Sequence, residues 1–238
     1  MHTVEQTMKH TDIDLTPPPG RHDIYSLVHK GLRAFMVEVL TRVGRIDADD
    51  DAEVSHALAQ VRGLLELCRA HLEKEERYIH PRMEARRRGS TMRTAHDHEG
   101  HVRAFEQLER DVHTVEQNTR LARAAAVTQL YRNLAVFIAE NFVHMEIEET
   151  ENNAILWATH SDAELMALQQ AIVASLSPQQ QAAFLRWMAP YLTPAERATL
   201  LGGLKRNAPT QVFGNILAML KPYLDVRDWS KLMAALSH

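Results

Sequence analysis

The chain has 238 residues, which is enough for one large domain or two small ones around a buried core. Apolar residues make up 45% and charged residues 24%, as in ordinary globular proteins, and the net charge of −4 argues against nucleic acid as a partner. No apolar run approaches the roughly 18 residues that span a bilayer, which excludes a membrane protein. The single cysteine, Cys68, excludes an intrachain disulfide, and the N-terminus lacks the pattern of a signal peptide, so we expect a cytoplasmic protein.

Helical periodicity follows a polar N-terminal segment. Residues 1–20 end in Pro17-Pro18-Pro19-Gly20 and are predicted to be a disordered tail. After them, apolar residues recur at helical spacing and predict four long helices. The predicted spans are about Asp23 to Arg42, about Asp51 to Arg88, Ser90 to Gln117, and Arg120 to beyond Asn152. Because the connections are short, neighbours should be antiparallel, and residues 21–160 are predicted to form an up-down-up-down four-helix bundle.

Residues 161–238 carry start signals for shorter helices. Ser161 and Thr193 each precede a glutamate at capping-box spacing, Ser177 precedes a proline, and Asp225 precedes the last apolar stretch. No alternation typical of strands occurs, so the fold class is all-α, and this region is predicted to be a small C-terminal helical appendage. It holds seven Lys or Arg and five Asp or Glu, so the carboxylates are concentrated in the first 160 residues.

The second and fourth predicted helices contain the same string. It reads HLEKEE from His71 and HMEIEE from His144. In each, a histidine and a glutamate, Glu75 or Glu148, are four residues apart and therefore share a helix face. That face is otherwise apolar, and an ionised carboxylate buried there costs several kcal/mol unless a charge or a metal compensates it.

The first and third predicted helices add histidines. His29 occupies a position of the apolar stripe in the first helix. In the third helix, His98 is followed by Val102 and Phe105, and His101 by Phe105 and Leu108, so either histidine or both can face inward. Imidazole and carboxylate ligands without a thiolate favour iron, manganese or zinc. Two carboxylates able to bridge are consistent with a pair of metals about 3.5 Å apart.

Each of these elements has a structural interpretation when it is taken alone. A histidine on an apolar stripe is usually a satisfied core residue, and a single His-x-x-x-Glu pair is usually solvated. The combination, one set per helix and in order, predicts a metal site. Cys68 is interpreted as core filling, and five further histidines as surface or structural residues: His22, His56, His80, His113 and His160. A ferritin-like carboxylate site needs two Glu-x-x-His pairs, and only Glu53-x-x-His56 has that spacing convincingly.

These motifs resemble the bacterial hemerythrin-like (HHE cation-binding) family. The shared order is YSLVHKGLR, HLEKEERYIHPRME, DHEGH and HMEIEET, over roughly residues 21–160. The resemblance implies a non-haem di-iron centre in a hemerythrin-like bundle, with manganese or zinc as substitutes, that binds or reacts with dioxygen or a similar small ligand. It places the metal ligands at His29, His71, Glu75, His98 or His101, His144 and Glu148.

Two departures from the oxygen-carrying members leave the function open. Those members place a second histidine four residues after the first on the third helix, where this chain has Val102, and they end with a histidine and an aspartate five residues apart. Fewer histidines leave an open coordination position, which favours oxidation, sensing or peroxide chemistry over oxygen carriage. The alternatives are a di-iron enzyme acting on peroxide or nitric oxide, and a regulatory module that senses iron or redox state. The module would bind a protein partner or a second copy through 161–238, where Trp187 and Trp229 are predicted to be exposed.

Overall fold

The computed structural model describes residues 20–237, and every regular element within that range is helical. This confirms the all-α prediction. Apart from Gly20, the predicted tail lies outside the described residues. Within the described range, no helix is both long enough and apolar enough to cross a membrane.

The first part of the chain forms long helices, two of which continue through a π-helical segment into a short helix. In chain order these are α1 (Ser26–Val43), α2 (Asp51–Lys74), the π segment Glu75–Ile79, α3 (His80–Arg86), α4 (Met92–Gln117), α5 (Arg120–Ile147), the π segment Glu148–Asn152 and α6 (Asn153–Thr159).

Helices α1, α2, α4 and α5 enclose the main core. Helix α1 contacts α2 and α5, and α4 also contacts α2 and α5, so the four helices close into a ring. The residues they bury include Leu32, Met36, Leu64, Leu65, Phe105, Leu130, Leu134 and Phe137. The connections are short, as an up-down-up-down order requires, and that order remains a prediction.

The face that α4 turns to the core differs from the prediction at one position. Val102 is 44% exposed, so its assignment to the core was wrong. The inward residues are His98, His101, Phe105 and Leu108, which follow one another at steps of three and four. Val102 lies one position beyond His101, to the side of that stripe.

The C-terminal region forms five further helices. They are α7 (Asp162–Ala174), α8 (Pro178–Met188), α9 (Pro194–Asn207), α10 (Thr210–Leu220) and α11 (Val226–Leu236). The side chains of Ser161, Ser177 and Thr193 each accept from the backbone N–H three residues on, in complete capping boxes, and Asp225 caps α11 in the same way. The predicted helix starts are therefore confirmed.

This region packs against α1 of the bundle. The rings of Phe35 and Trp187 stack with centroids 3.9 Å apart, and a salt bridge of 2.6 Å joins Lys30 to Glu196. The prediction that Trp187 is exposed was wrong, since it is 6% exposed in this contact. Trp229 is half-buried against the apolar cluster of α9–α11, because the short helices need their own core.

Candidate metal centre

Both glutamates of the repeated string begin a π-helical segment. The N–H of His80 donates to the carbonyl of Glu75, and the N–H of Asn153 donates to the carbonyl of Glu148, in each case across five residues. Single π turns inside α-helices are frequent at functional sites. The inserted residue changes which side chains follow the glutamate on the inward face. A strict period of 3.6 residues therefore gave no indication of these segments.

The seven residues predicted as ligands come from all four bundle helices. Helix α1 provides His29, α2 His71, α4 both His98 and His101, and α5 His144, while the two π segments provide Glu75 and Glu148. Six of them are buried, at most 5% exposed, and His71 is partly exposed. The structure thus places six of the seven inside the bundle core and His71 at its edge.

The histidines approach one another in two pairs. The Nε2 atoms of His29 and His71 are 3.1 Å apart, and so are those of His98 and His144. Glu75 lies between the pairs, with Oε1 3.0 Å from His71 Nε2 and Oε2 3.5 Å from His98 Nε2. Each carboxylate oxygen of Glu75 therefore faces a different pair.

Glu148 makes the second connection between the pairs. Its Oε2 lies 3.4 Å from His29 Nε2 and 3.3 Å from His144 Nε2. Two groups of potential metal-binding residues result: His29, His71, Glu75 and Glu148, and Glu75, His98, His144 and Glu148. Within each group the donor atoms lie within 4.8 Å of one another. The groups share both carboxylates, as in a dinuclear site with two bridging ligands.

The carboxylates of Glu75 and Glu148 lie where a cation could bind. All four of their oxygens are buried, and their contacts with imidazole nitrogens among the described residues do not have hydrogen-bond geometry. An unsatisfied buried carboxylate is costly, and a bound metal removes that cost. The donor set of imidazole nitrogen and carboxylate oxygen suits iron, manganese or zinc.

The buried histidines and glutamates stabilise one another's charged forms. Burial and the charge of Glu75 act to raise the pKa of Glu148, but His144 and His29 outweigh them and hold it at about 2. Burial lowers the pKa of His144, yet Glu148 and Glu75 raise it to about 9. A protonated His144 thus offsets the charge of Glu148, and a divalent cation would replace such protons.

His101 lies beside the two groups and belongs to neither. Its ring centroid is 4.8 Å from that of His144 and 6.3 Å from that of His98. Burial, with the nearby charges of His144 and His98, lowers its pKa to about 4, so the ring is neutral. It lines a void of about 10 Å³ together with Cys68, Phe105, Asn141 and Met145.

Cys68 behaves as core filling. It is 4% exposed, and burial raises the pKa of its thiol to about 12. Because thiolates rather than thiols bind metals, this residue is a poor ligand.

The glutamates that directly follow Glu75 and Glu148 in the chain contact the outer nitrogens of two histidines. Glu149 Oε1 is 2.9 Å from His29 Nδ1 and also accepts from Arg33 at 2.5 Å. Glu76 Oε1 is 3.3 Å from His98 Nδ1. A carboxylate at Nδ1 fixes the ring and leaves Nε2 for the metal.

His144 has a comparable contact, 3.3 Å from its Nδ1 to Asp97 Oδ2. None of these acids has a predicted role. The available signal was the doubled glutamate in HLEKEE and HMEIEE, together with the aspartate beside His98. Each second glutamate serves a histidine of a different helix, and spacing within one helix could not show that.

Comparison with known proteins gave one family match. The model of the "Hemerythrin HHE cation binding domain" matches residues 22–156, more than half of the chain. The span contains all seven predicted ligands and ends before α7. Neither the curated proteins nor the solved structures gave a match.

Proposed function

The chain belongs to the hemerythrin HHE cation-binding family, and from this premise we propose that it holds two iron ions and reacts with dioxygen or a related small ligand. One observation carries the proposal. Two pairs of histidines share Glu75 and Glu148, whose buried oxygens face imidazole nitrogens without hydrogen-bond geometry in the described chain. Manganese or zinc would suit the same donors.

Each ion would have its own pair of imidazoles. His29 and His71 would hold one, His98 and His144 the other, and Glu75 and Glu148 would bridge them within an up-down-up-down bundle. An iron pair supplies the electrons that dioxygen or a related ligand accepts. Glu149, Glu76 and Asp97 would keep the Nδ1 atoms of three histidines occupied and their rings in place.

The void lined by Glu75 and His101 would admit only a small ligand. Its volume, about 10 Å³, is close to the space that one water molecule needs. Phe105 and Met145 line it and exclude bulk water. The His101 ring is neutral there, so one of its nitrogens can donate a hydrogen bond to a ligand. We assign it this positioning role.

The test is ferrous reconstitution without oxygen, followed by exposure to air. We expect visible charge-transfer absorption to develop on exposure, with iron content unchanged. Bound iron without any spectral change would contradict the oxygen reaction and leave the metal site. A chain that binds no iron would contradict both.

One observation also favours a second candidate, a module that reports metal state. Lys30 and Gly31, the two residues after His29, both touch the C-terminal region, through Glu196 and Met188. A change at His29 can therefore pass along α1 to α8 and α9, where 161–238 would meet a protein partner or a second copy. Hydrogen exchange of the iron-loaded and chelator-treated chains tests this, since equal protection of α8 and α9 would contradict it.

A further inference from the structure

A second, much larger cavity separates the bundle from the C-terminal helices. Its volume is about 460 Å³, and it lies between α1 and α2 on one side and α7–α10 on the other. Cavities of roughly 300 to 1,000 Å³ accommodate small organic molecules. A diatomic ligand would not need a space of this size.

The walls of this cavity are aliphatic. They include Leu27 and Val28 from α1, Ile172 from α7, Leu185 from α8 and Ile216 from α10. All five are half-buried rather than buried, so apolar surface faces an opening that no other part of the described chain fills. Covering such surface with a hydrocarbon is favourable.

Two charged residues line the cavity. They are Lys74, the last residue of α2, and Glu75, the first residue of the π segment, and Lys74 is the only lysine or arginine among the described residues of the wall. Lys74 is 8% exposed, and its Nζ lies 3.3 Å from Glu73 Oε1. An ammonium has three donors and gains from a further carboxylate when it is withdrawn from water.

We propose that this cavity binds a monocarboxylic acid with an aliphatic body, of the fatty-acid type. The hydrocarbon would lie between α1 and α7–α10, and the carboxylate would pair with Lys74, one helical turn from His71. The site goes beyond the metal function and needs no bound metal. A ligand there would nevertheless lie against His71 and Glu75, so it would also limit access to the centre from this side.

The test is calorimetric titration of the full chain with dodecanoate, and with dodecanol as the uncharged probe. Both titrations are run on iron-loaded and on chelator-treated protein, so that loss of metal binding and loss of acid binding are seen separately. We expect saturable binding of about one dodecanoate per chain in both forms, and weaker binding of dodecanol.

Substitutions in the cavity wall test whether dodecanoate binds there. Lys74→Met should weaken dodecanoate binding by tenfold or more and leave dodecanol unchanged, because it removes a charge-assisted hydrogen bond. Lys231→Met, at an exposed lysine of α11, is the matched control. Ile216→Trp should fill the cavity and reduce binding of both probes. Ala182→Trp, at an exposed position of the wall, serves the same purpose at less risk to folding.

The proposal has clear contrary outcomes. Absence of saturable dodecanoate binding to the wild-type chain would overturn it. Binding unchanged in both tryptophan variants would place the ligand elsewhere and would also overturn it. Equal affinity for the two probes, unaffected by Lys74→Met, would overturn the carboxylate assignment.

Discussion

Two parts of this molecule bury charged side chains, but the contacts around those side chains differ. In the bundle, Glu75 and Glu148 are at most 2% exposed, and none of their oxygens makes a hydrogen bond in the described structure. In the C-terminal region, Arg197 is 1% exposed and is held by the chain around it. The contrast is between carboxylates placed where a cation could bind and a guanidinium that stabilises the fold.

Arg197 supports the turn that follows α8. Its Nε donates to the carbonyl of Ala189 at 2.7 Å, and its Nη2 donates to those of Pro190 and Leu192 at 3.0 and 2.9 Å. A contact of 3.3 Å to Asp228 ties α9 to α11. Only Nη1 has no partner in the described chain. The guanidinium thus satisfies carbonyls at the end of a helix, which is a structural role.

The largest effect should come from Glu148→Ala, which removes one of the two shared carboxylates. We expect the metal content to fall from two ions per chain to one at most, because both groups of ligands include Glu148. Elemental analysis after ferrous reconstitution measures this. Glu146→Ala changes an exposed glutamate of the same helix and should keep both ions. A Glu148→Ala chain that retained two would show that the carboxylate is not a bridge.

Arg197→Met should lower the stability of the chain without changing its metal content. Removing the guanidinium leaves buried carbonyls without donors, so we expect the free energy of unfolding to fall by about 3 kcal/mol. Metal content should stay the same. Denaturant titration measures the first quantity and elemental analysis the second, with Arg206→Met, an exposed arginine of α9, as the control. Loss of metal in the Arg197 variant, but not in the Arg206 control, would contradict the purely structural role of Arg197.

Glu149→Gln tests the contact that orients His29. Replacing a carboxylate at the outer nitrogen of a metal-binding histidine typically costs about 10- to 100-fold in metal affinity. We expect a loss of that size with two ions still bound at saturation. Competition with a chelator of known affinity measures it. Glu151→Gln alters a half-buried glutamate of the same π segment, which pairs with Arg93 rather than with a histidine, and should leave the affinity as it is.

The smallest effect concerns the contact between the two regions. A Cβ at Gly31 would lie 2.9 to 3.0 Å from atoms of Met188, two of them in the backbone, so Gly31→Ala should destabilise the chain by about 1–2 kcal/mol. At Gly63 the nearest atom is 3.8 Å away, and Gly63→Ala should stabilise by about 0.5–1 kcal/mol through helix propensity. Denaturant titration of both variants checks the difference. Equal effects would show that α8 does not pack tightly on α1.

The sequence predicted features that depend on spacing within a single helix, namely its inward face and its first residue. The spacing of His71 to Glu75 and of His144 to Glu148 marked an inward face, and the capping residues at Ser161, Ser177 and Thr193 marked helix starts. These are local signals, which need no knowledge of the neighbouring helices.

What the sequence could not predict depends on neighbouring helices. Glu149 meets His29 across the bundle, and the π segments arise where the glutamates turn inward. Trp187 becomes buried because Phe35 on another helix covers it. None of these contacts has a fixed spacing along the chain, so periodicity cannot reveal it.

The most direct test of the central claim is the number of metal ions that the unmodified chain binds. The chain is reconstituted with ferrous iron without oxygen, freed of excess metal, and analysed for iron and protein. Two irons per chain are expected, because two groups of ligands share Glu75 and Glu148. A chain that binds no iron, manganese or zinc would contradict the account and leave the buried histidines and glutamates without the ligand that their geometry indicates.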